Sequence, residues 1–452
     1  MAIPTGLVDS KTSGAKDARP GIQKVLDAGG KVYIGPGEHR CNGALKVSPN
    51  AVIYVDEGAR LLKNFSASGA MRNAFIQNKS WGSSGPSGVT QVHNTKIYGP
   101  GEISAVNESM AGNIISLYGD NIVLSDFKTT CWEGGRHTVL AGDHCRARDL
   151  NWVGGGGSTG NGGLRFQGGT DFIGERIHCE SGDDVFQFVP AGAEADPTYG
   201  LEITDSVYKD CTGSSTHAKI VVIGLQFGGT QGAPDGVITM PASASVRRSG
   251  FINISAPDGT AVTARIQNIS SAGVIEDCYL ENVVTKGLRT TTGGVELLIN
   301  AWEKTGGISG LKLTGVKMLP IRQALGMMRG AVNTTFEGCD FTRGSSATGD
   351  PVARISGNTT VLRNCTFDGA NSTAPVVTIE SPESGGGPDP LDVRFWKCTF
   401  ENINGVGLEQ KAGTEAKIRG CTFSGSGIAV KISGGSTPLY QNNNYGTLTK
   451  PA

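Results

Sequence analysis

Residues 276–281 read EDCYLE, 337–342 EGCDFT, 363–368 RNCTFD, 396–401 WKCTFE and 419–424 RGCTFS. Each has a cysteine (Cys278, Cys339, Cys365, Cys398 and Cys421) with a large apolar residue two places on, and most end in a turn-prone tail. The last three intervals are 26 residues (Cys339 to Cys365), 33 (Cys365 to Cys398) and 23 (Cys398 to Cys421). Self-similarity at such a period means a stack of repeats. Between the phrases lie short β-branched runs such as Val376-Val377-Thr378-Ile379 and Ile428-Ala429-Val430-Lys431-Ile432, bounded by Gly, Asn, Asp or Ser. Several short strands per repeat without a helical period predict an all-β chain, a single-stranded right-handed parallel β-helix.

Composition agrees. A chain of 452 residues is long for one globular core, and a solenoid escapes that limit by burying each coil against its neighbours. The 68 glycines follow no collagen period, and fit sharp bends between strands. A net charge of −1, from 40 basic and 41 acidic residues, argues against a nucleic-acid partner. No apolar run is long enough for a membrane helix, which predicts no membrane partner. The opening MAIPTGLVDSKTSG shows no apolar signal-peptide core. The cysteines read as buried thiols stacked coil on coil, since no close Cys/His cluster has zinc spacing and no metal site is expected.

Residues 17–28 predict a short amphipathic helix, with Asp17 as N-cap and Ile22, Val25 and Leu26 on one face. It would plug the open end of the solenoid. The expected organisation is an N-terminal segment and capping helix over 1–30, a β-helix over 31–435 and a C-terminal cap over 436–452. Polar excursions interrupt the strands at 64–94, 153–163, 190–199 and 226–245. Long loops on a regular scaffold are where binding usually resides.

Glu180-Ser181-Gly182-Asp183-Asp184 is the best site candidate. Two adjacent carboxylates in a strand would point to opposite faces, but a turn at Gly182 can aim both outward. Crowded carboxylates can supply a proton donor beside a base. A solvated Asp-rich turn, or a calcium site, is the competing reading. One coil on come His217 and Lys219, before the strand Ile220-Val221-Val222-Ile223. Further on, Arg265 and Gln267 alternate with Ile266, so both would point outward. Stacking would then place Asp183, Asp184, His217 and Arg265 in one ladder. His178 and Glu180 lie beside the pair, and Trp132 and Trp302 are sugar platforms or core residues.

These stretches resemble the polygalacturonase-type family of glycoside hydrolases, whose fold is the pectin-lyase-like β-helix. IQKVLDAGGKVYIGPGEHRCNGALKV and GARLL, over residues 22–62, are similar to the opening coil of that family and of phage tailspike depolymerases. TKIYGPGEI at 95–103 resembles a further family coil. The family's Asp-Asp motif matches Asp183-Asp184, its Gly-His-Gly motif matches Thr216-His217-Ala218, and its Arg-Ile-Lys motif matches Arg265-Ile266-Gln267. Its Asn-Thr-Asp motif falls where this chain reads Gly160-Asn161-Gly162-Gly163-Leu164, without the acid.

The resemblance implies an inverting mechanism with Asp183 as general acid, Asp184 as the base that activates water and His217 tuning the pair. Arg265, Gln267, Lys219, His178, Glu180, Trp132 and Trp302 would bind substrate. Glutamine in place of lysine implies a substrate other than plain pectin. The expected function is an endo-acting depolymerase, without cofactor, on an acidic bacterial exopolysaccharide or capsule. It would be extracellular or virion-associated, and a homotrimer if a phage spike. The alternatives are a polysaccharide lyase, for which Glu180, Asp183 and Asp184 would hold calcium, and a non-catalytic carbohydrate-binding spike.

Overall fold

The computed structural model describes residues 3–449 except 67–73, 80–90, 108–109, 111, 131–135, 154–161, 191–200, 217, 226–243, 261–263, 269, 271, 288–294, 302–306, 320–322, 329–330, 345–348, 382–389 and 414–415. At 136, 257–260, 286–287, 295–296, 319 and 327–328 only the backbone is described. Contacts divide the chain into two compact units, Met1–Ile220 and Val221–Ala452.

In the first unit three parallel sheets wind into a right-handed β-helix. One coil shows the plan. A short strand of sheet C, Gly169–Thr170, ends at Asp171, whose φ is 55°. The strand Ile173–Ser181 of sheet A follows, bent at Arg176 with φ 50°. A turn then leads into Phe186–Phe188 of sheet B. The next coil repeats the first two bends at Asp205 and Asp210. A left-handed residue turns a strand without adding length, and Asp and Asn tolerate that conformation better than other non-glycine residues.

The second unit repeats the plan, with left-handed residues at Asn253, Asn282, Gly315, Gly338, Asn364, Lys397, Gly420 and Asn442. Inward aromatics form a column down its core: Phe341 on Phe367 (5.5 Å), Phe367 on Phe400 (5.3 Å), Phe400 on Phe423 (4.5 Å) and Phe423 on Tyr445 (5.5 Å). The four phenylalanines are the large apolar residues of the repeated phrase, so the phrase marks a core position of the coil.

The cysteines need a correction. Nine are described, and all are buried and free. Cys339, Cys365, Cys398 and Cys421 each follow the second bend of a coil. Cys278 does not, because it follows the first bend, at Asp277. Strand register agrees: Glu281 aligns through Thr314 with Glu337, so EDCYLE is displaced from the other four phrases.

The helix spans Arg19–Gly29, with Ile22 and Leu26 buried and Val25 half-buried. Ala18 is its N-cap; Asp17 stands one residue earlier and accepts the Arg19 N–H at 3.0 Å. Pro20 sits in the first turn, and Gly30, at φ 70°, ends the helix. Gln23 bonds both the N–H (2.9 Å) and the carbonyl (2.9 Å) of Lys46, which docks the helix on the strand Leu45–Val47. Strands lie on both sides of the 31–435 span, at Val8–Asp9 and Leu439–Gln441. Among the described residues no helix is long and apolar enough to cross a membrane.

Candidate functional site

The Asp pair lies in the turn between Ile173–Ser181 and Phe186–Phe188, and both residues are half-buried. Ser181 folds the turn: its Oγ accepts the Asp183 N–H at 3.0 Å and donates to the Asp183 carbonyl at 2.9 Å. A serine beside glycine and aspartate is well suited to such a local clasp.

The neighbouring rungs fix Asp184. Its carbonyl accepts from the Gly163 N–H at 3.0 Å and from Gln187 Nε2 at 2.7 Å. Its carboxylate Oδ1 accepts the Lys219 N–H at 3.1 Å, and the Lys219 carbonyl accepts the Val185 N–H at 2.8 Å. Asp184 therefore sits on the Lys219 backbone of the next rung. Gly163 is needed there. A Cβ on it would lie 2.4 Å from the Val185 carbonyl oxygen and 2.7 Å from Cys179 Sγ.

Beneath the turn Phe186 and Phe188 point inward and are fully buried. They pack with Phe166, Phe172 and Tyr208, and Phe166 stacks on Phe172 at 4.5 Å. Burying such rings anchors the strand that carries the acids.

His178 and Glu180 share the outer side of Ile173–Ser181, alternating with buried Cys179 and Ser181. His178 Nδ1 lies 2.8 Å from Thr212 Oγ1 on the next rung, and Nε2 lies 3.4 Å from Glu180 Oε1. Among the described residues no three His, Cys, Asp or Glu side chains stand close enough together to hold a metal ion, so Glu180, Asp183 and Asp184 form no such group.

Asp183, Asp184 and Lys219 thus come together in the first unit. Arg265 and Gln267 stand in the second, on the strand Ala264–Asn268, where both are half-buried and Ile266 is buried between them. His217, Trp132 and Trp302 fall outside the described residues.

Sequence reasoning missed the supporting contacts of Ser181, Gly163 and Gln187, and the place of His137. His137 is buried, stacks on Trp152 with ring centroids 5.5 Å apart, and hydrogen-bonds the Glu180 backbone. Its Nδ1 has no hydrogen-bond partner among the described residues. Burial pushes the imidazole down to about 4, against a smaller opposing pull from the Glu180 carbonyl. The unfolded chain takes up this proton near pH 6.5, so the stability due to neutral His137 is present above that pH. It is lost as pH falls from there to about 4. The loss should be about 3 kcal/mol. His137→Phe keeps the stack and removes the titration, so its melting temperature should fall less than the parent's between pH 7 and 4.5. Parallel curves for the two proteins would refute this.

No family model matches the sequence, and no curated protein does. The fold does have solved relatives. A double-mutant tailspike protein of the E. coli bacteriophage HK620 is 13% identical and superposes with a TM-score of 0.59, over 96% of this chain and 77% of the other. A single-mutant HK620 tailspike in complex with a pentasaccharide is 13% identical, with a TM-score of 0.56 over 97% and 79%. The chain shares the fold of these tailspikes. A family 28 exopolygalacturonase of Yersinia enterocolitica is also similar, at 13% identity and a TM-score of 0.42, over 97% and 78%. At these identities the likeness is one of fold.

Proposed function

We propose that this chain is a polysaccharide depolymerase of the polygalacturonase type. In this reading it is an inverting, endo-acting glycoside hydrolase that cleaves an acidic bacterial exopolysaccharide or capsule. One observation carries the reading: two adjacent carboxylates are presented by a serine-clasped turn, and one of them is held on the next rung. Such a pair supplies a proton to a leaving oxygen and takes one from water. A tailspike of the same fold is seen with a pentasaccharide, which supports a glycan as ligand. Asp183 is assigned as the acid and Asp184 as the base. In the same reading His217 tunes the pair, the chain acts outside the cell or on a virion, and a spike of this kind assembles as a homotrimer.

The test is incubation with a panel of acidic polysaccharides, followed by viscometry and mass spectrometry of the products. Early viscosity loss with water-added, saturated oligosaccharides is expected. Unsaturated products absorbing in the ultraviolet would replace hydrolysis with β-elimination. Oligosaccharide binding with unchanged viscosity across the panel would leave a binding spike.

A further inference from the structure

The second unit carries a cavity of about 510 Å³ lined by Arg363, Asn364, Trp396, Lys397, Arg419 and Asn442 with Gly420. It lies on the outer face of sheet A, where Arg363, Trp396 and Arg419 align across three successive rungs. Asn364, Lys397 and Gly420 are the left-handed residues that follow these strands, and Asn442 follows the next one, Leu439–Gln441. We propose that this cavity is a second carbohydrate site, which takes an acidic sugar unit of a glycan chain.

Several cations on the outer surface are matched to acids on nearby rungs. Lys209 pairs with Glu175 at 2.9 Å, Arg176 with Asp149 at 2.7 Å, Lys317 with Asp340 at 3.2 Å and Lys417 with Asp392 at 3.0 Å. Arg363, Lys397 and Arg419 are not matched: among the described residues none has a carboxylate partner within ion-pair distance, and all three line this one cavity. All three are exposed. Like charges on adjacent rungs repel, so this grouping lowers stability unless an anion joins it. Its one internal compensation is aromatic, with the Arg363 guanidinium 4.5 Å from the centre of the Trp396 ring.

Shape points the same way. Trp396 is half-buried in a wall of cations and amides, with an apolar ring and a polar rim around it. A pyranose offers a matching apolar face for the ring and hydroxyls for Asn442 and for the side-chain oxygen of Asn364, whose amide nitrogen donates to Glu337 at 2.7 Å. A carboxylate or sulfate on that sugar would meet the guanidinium forks of Arg363 or Arg419. Rungs repeat about every 4.8 Å, close to the length of one sugar ring, so a bound chain could run across them in step. The protein's near-zero net charge favours a glycan here over a nucleic acid. The site needs nothing from Asp183 or Asp184, so it stands whether or not the chain cleaves its ligand.

Isothermal titration calorimetry of the full chain tests it. The probes are a galacturonate trimer, sialyl-lactose and a sulfated disaccharide, with maltotriose, inorganic phosphate and a short oligo-dT for comparison. At least one acidic oligosaccharide should bind, at least tenfold more tightly than maltotriose or phosphate. The doubly substituted Arg363→Ala, Arg419→Ala protein should lose at least tenfold of that affinity, with a melting temperature no lower than the parent's. Trp396→Phe should keep part of the binding that Trp396→Ala loses. The proposal fails if no acidic probe binds, if the double variant binds as well as the parent, or if phosphate or oligo-dT binds as tightly.

Discussion

Replacing Gly142 with alanine should leave little folded protein. Gly142 has φ 132°, a conformation open almost only to glycine, and it follows the strand Arg136–Ala141. A Cβ there would lie 1.9 Å from the Gly119 carbonyl oxygen and 2.4 Å from its carbon. The neighbouring rungs repeat the arrangement. A Cβ on Gly119, at φ 143°, would meet the Val92 carbonyl at 2.0 Å, and one on Gly169, at φ 111°, the Gly142 carbonyl at 2.3 Å. Each clash is with backbone, so no side chain can swing away. Moving one rung strains the next, because the Gly119 N–H bonds the Ala141 carbonyl (2.9 Å) and the Gly142 N–H bonds the Gly168 carbonyl (2.8 Å). The expected cost exceeds about 4 kcal/mol, the range reserved for a severe backbone or packing fault. Gly58 is the control. It has φ 74°, and a Cβ there would touch only Pro36 Cβ at 3.9 Å. Alanine at Gly58 should cost about 1 kcal/mol, the conformational penalty alone. Soluble yield and melting temperature separate the two. An equal, small fall in both would show that the rungs relax more freely than this geometry allows.

The same rung geometry explains what could be read in advance. The repeated phrase reports a local event, a left-handed residue followed by a small buried thiol and an inward aromatic. That is enough to give the β-helix. It is not enough to give register, because each coil has two such bends. Asp277-Cys278 and Gly338-Cys339 satisfy the same local chemistry at different bends, and only strand pairing tells them apart. The candidate site divides in the same way. The Asp183-Asp184 turn was legible because Gly182 and Ser181 are its chain neighbours. The alternation of Arg265, Ile266 and Gln267 was legible because it belongs to one strand. The Asp184–Lys219 bond joins residues 35 apart, and the Gly163 contact crosses between rungs, so both depend on the length of intervening loops. His137 carries no motif at all; its role arises from Trp152 and Glu180 on neighbouring segments.

Substitution of Asp184 by asparagine should reduce depolymerisation by about a thousandfold, within the range for loss of a general acid or base. Asparagine keeps an oxygen where Asp184 Oδ1 accepts the Lys219 N–H, so the turn should survive and the melting temperature should hardly change. In the proposed mechanism, what is lost is the ability to take a proton from water. Asp183→Asn should give a loss of similar size by a different route, since the leaving oxygen then receives no proton. That variant should recover relative activity on a substrate with a good leaving group, such as an aryl glycoside, whereas Asp184→Asn should not. Ser181→Ala removes the clasp on Asp183 but leaves both acids, and should cost only about tenfold, chiefly in kcat, because the turn then samples other conformations. The ordering is the informative part. A merely structural Asp pair would make Asp184→Asn and Ser181→Ala comparable in both stability and activity. If either asparagine variant, correctly folded, still thins the polymer at the parental rate, that carboxylate does not do the chemistry.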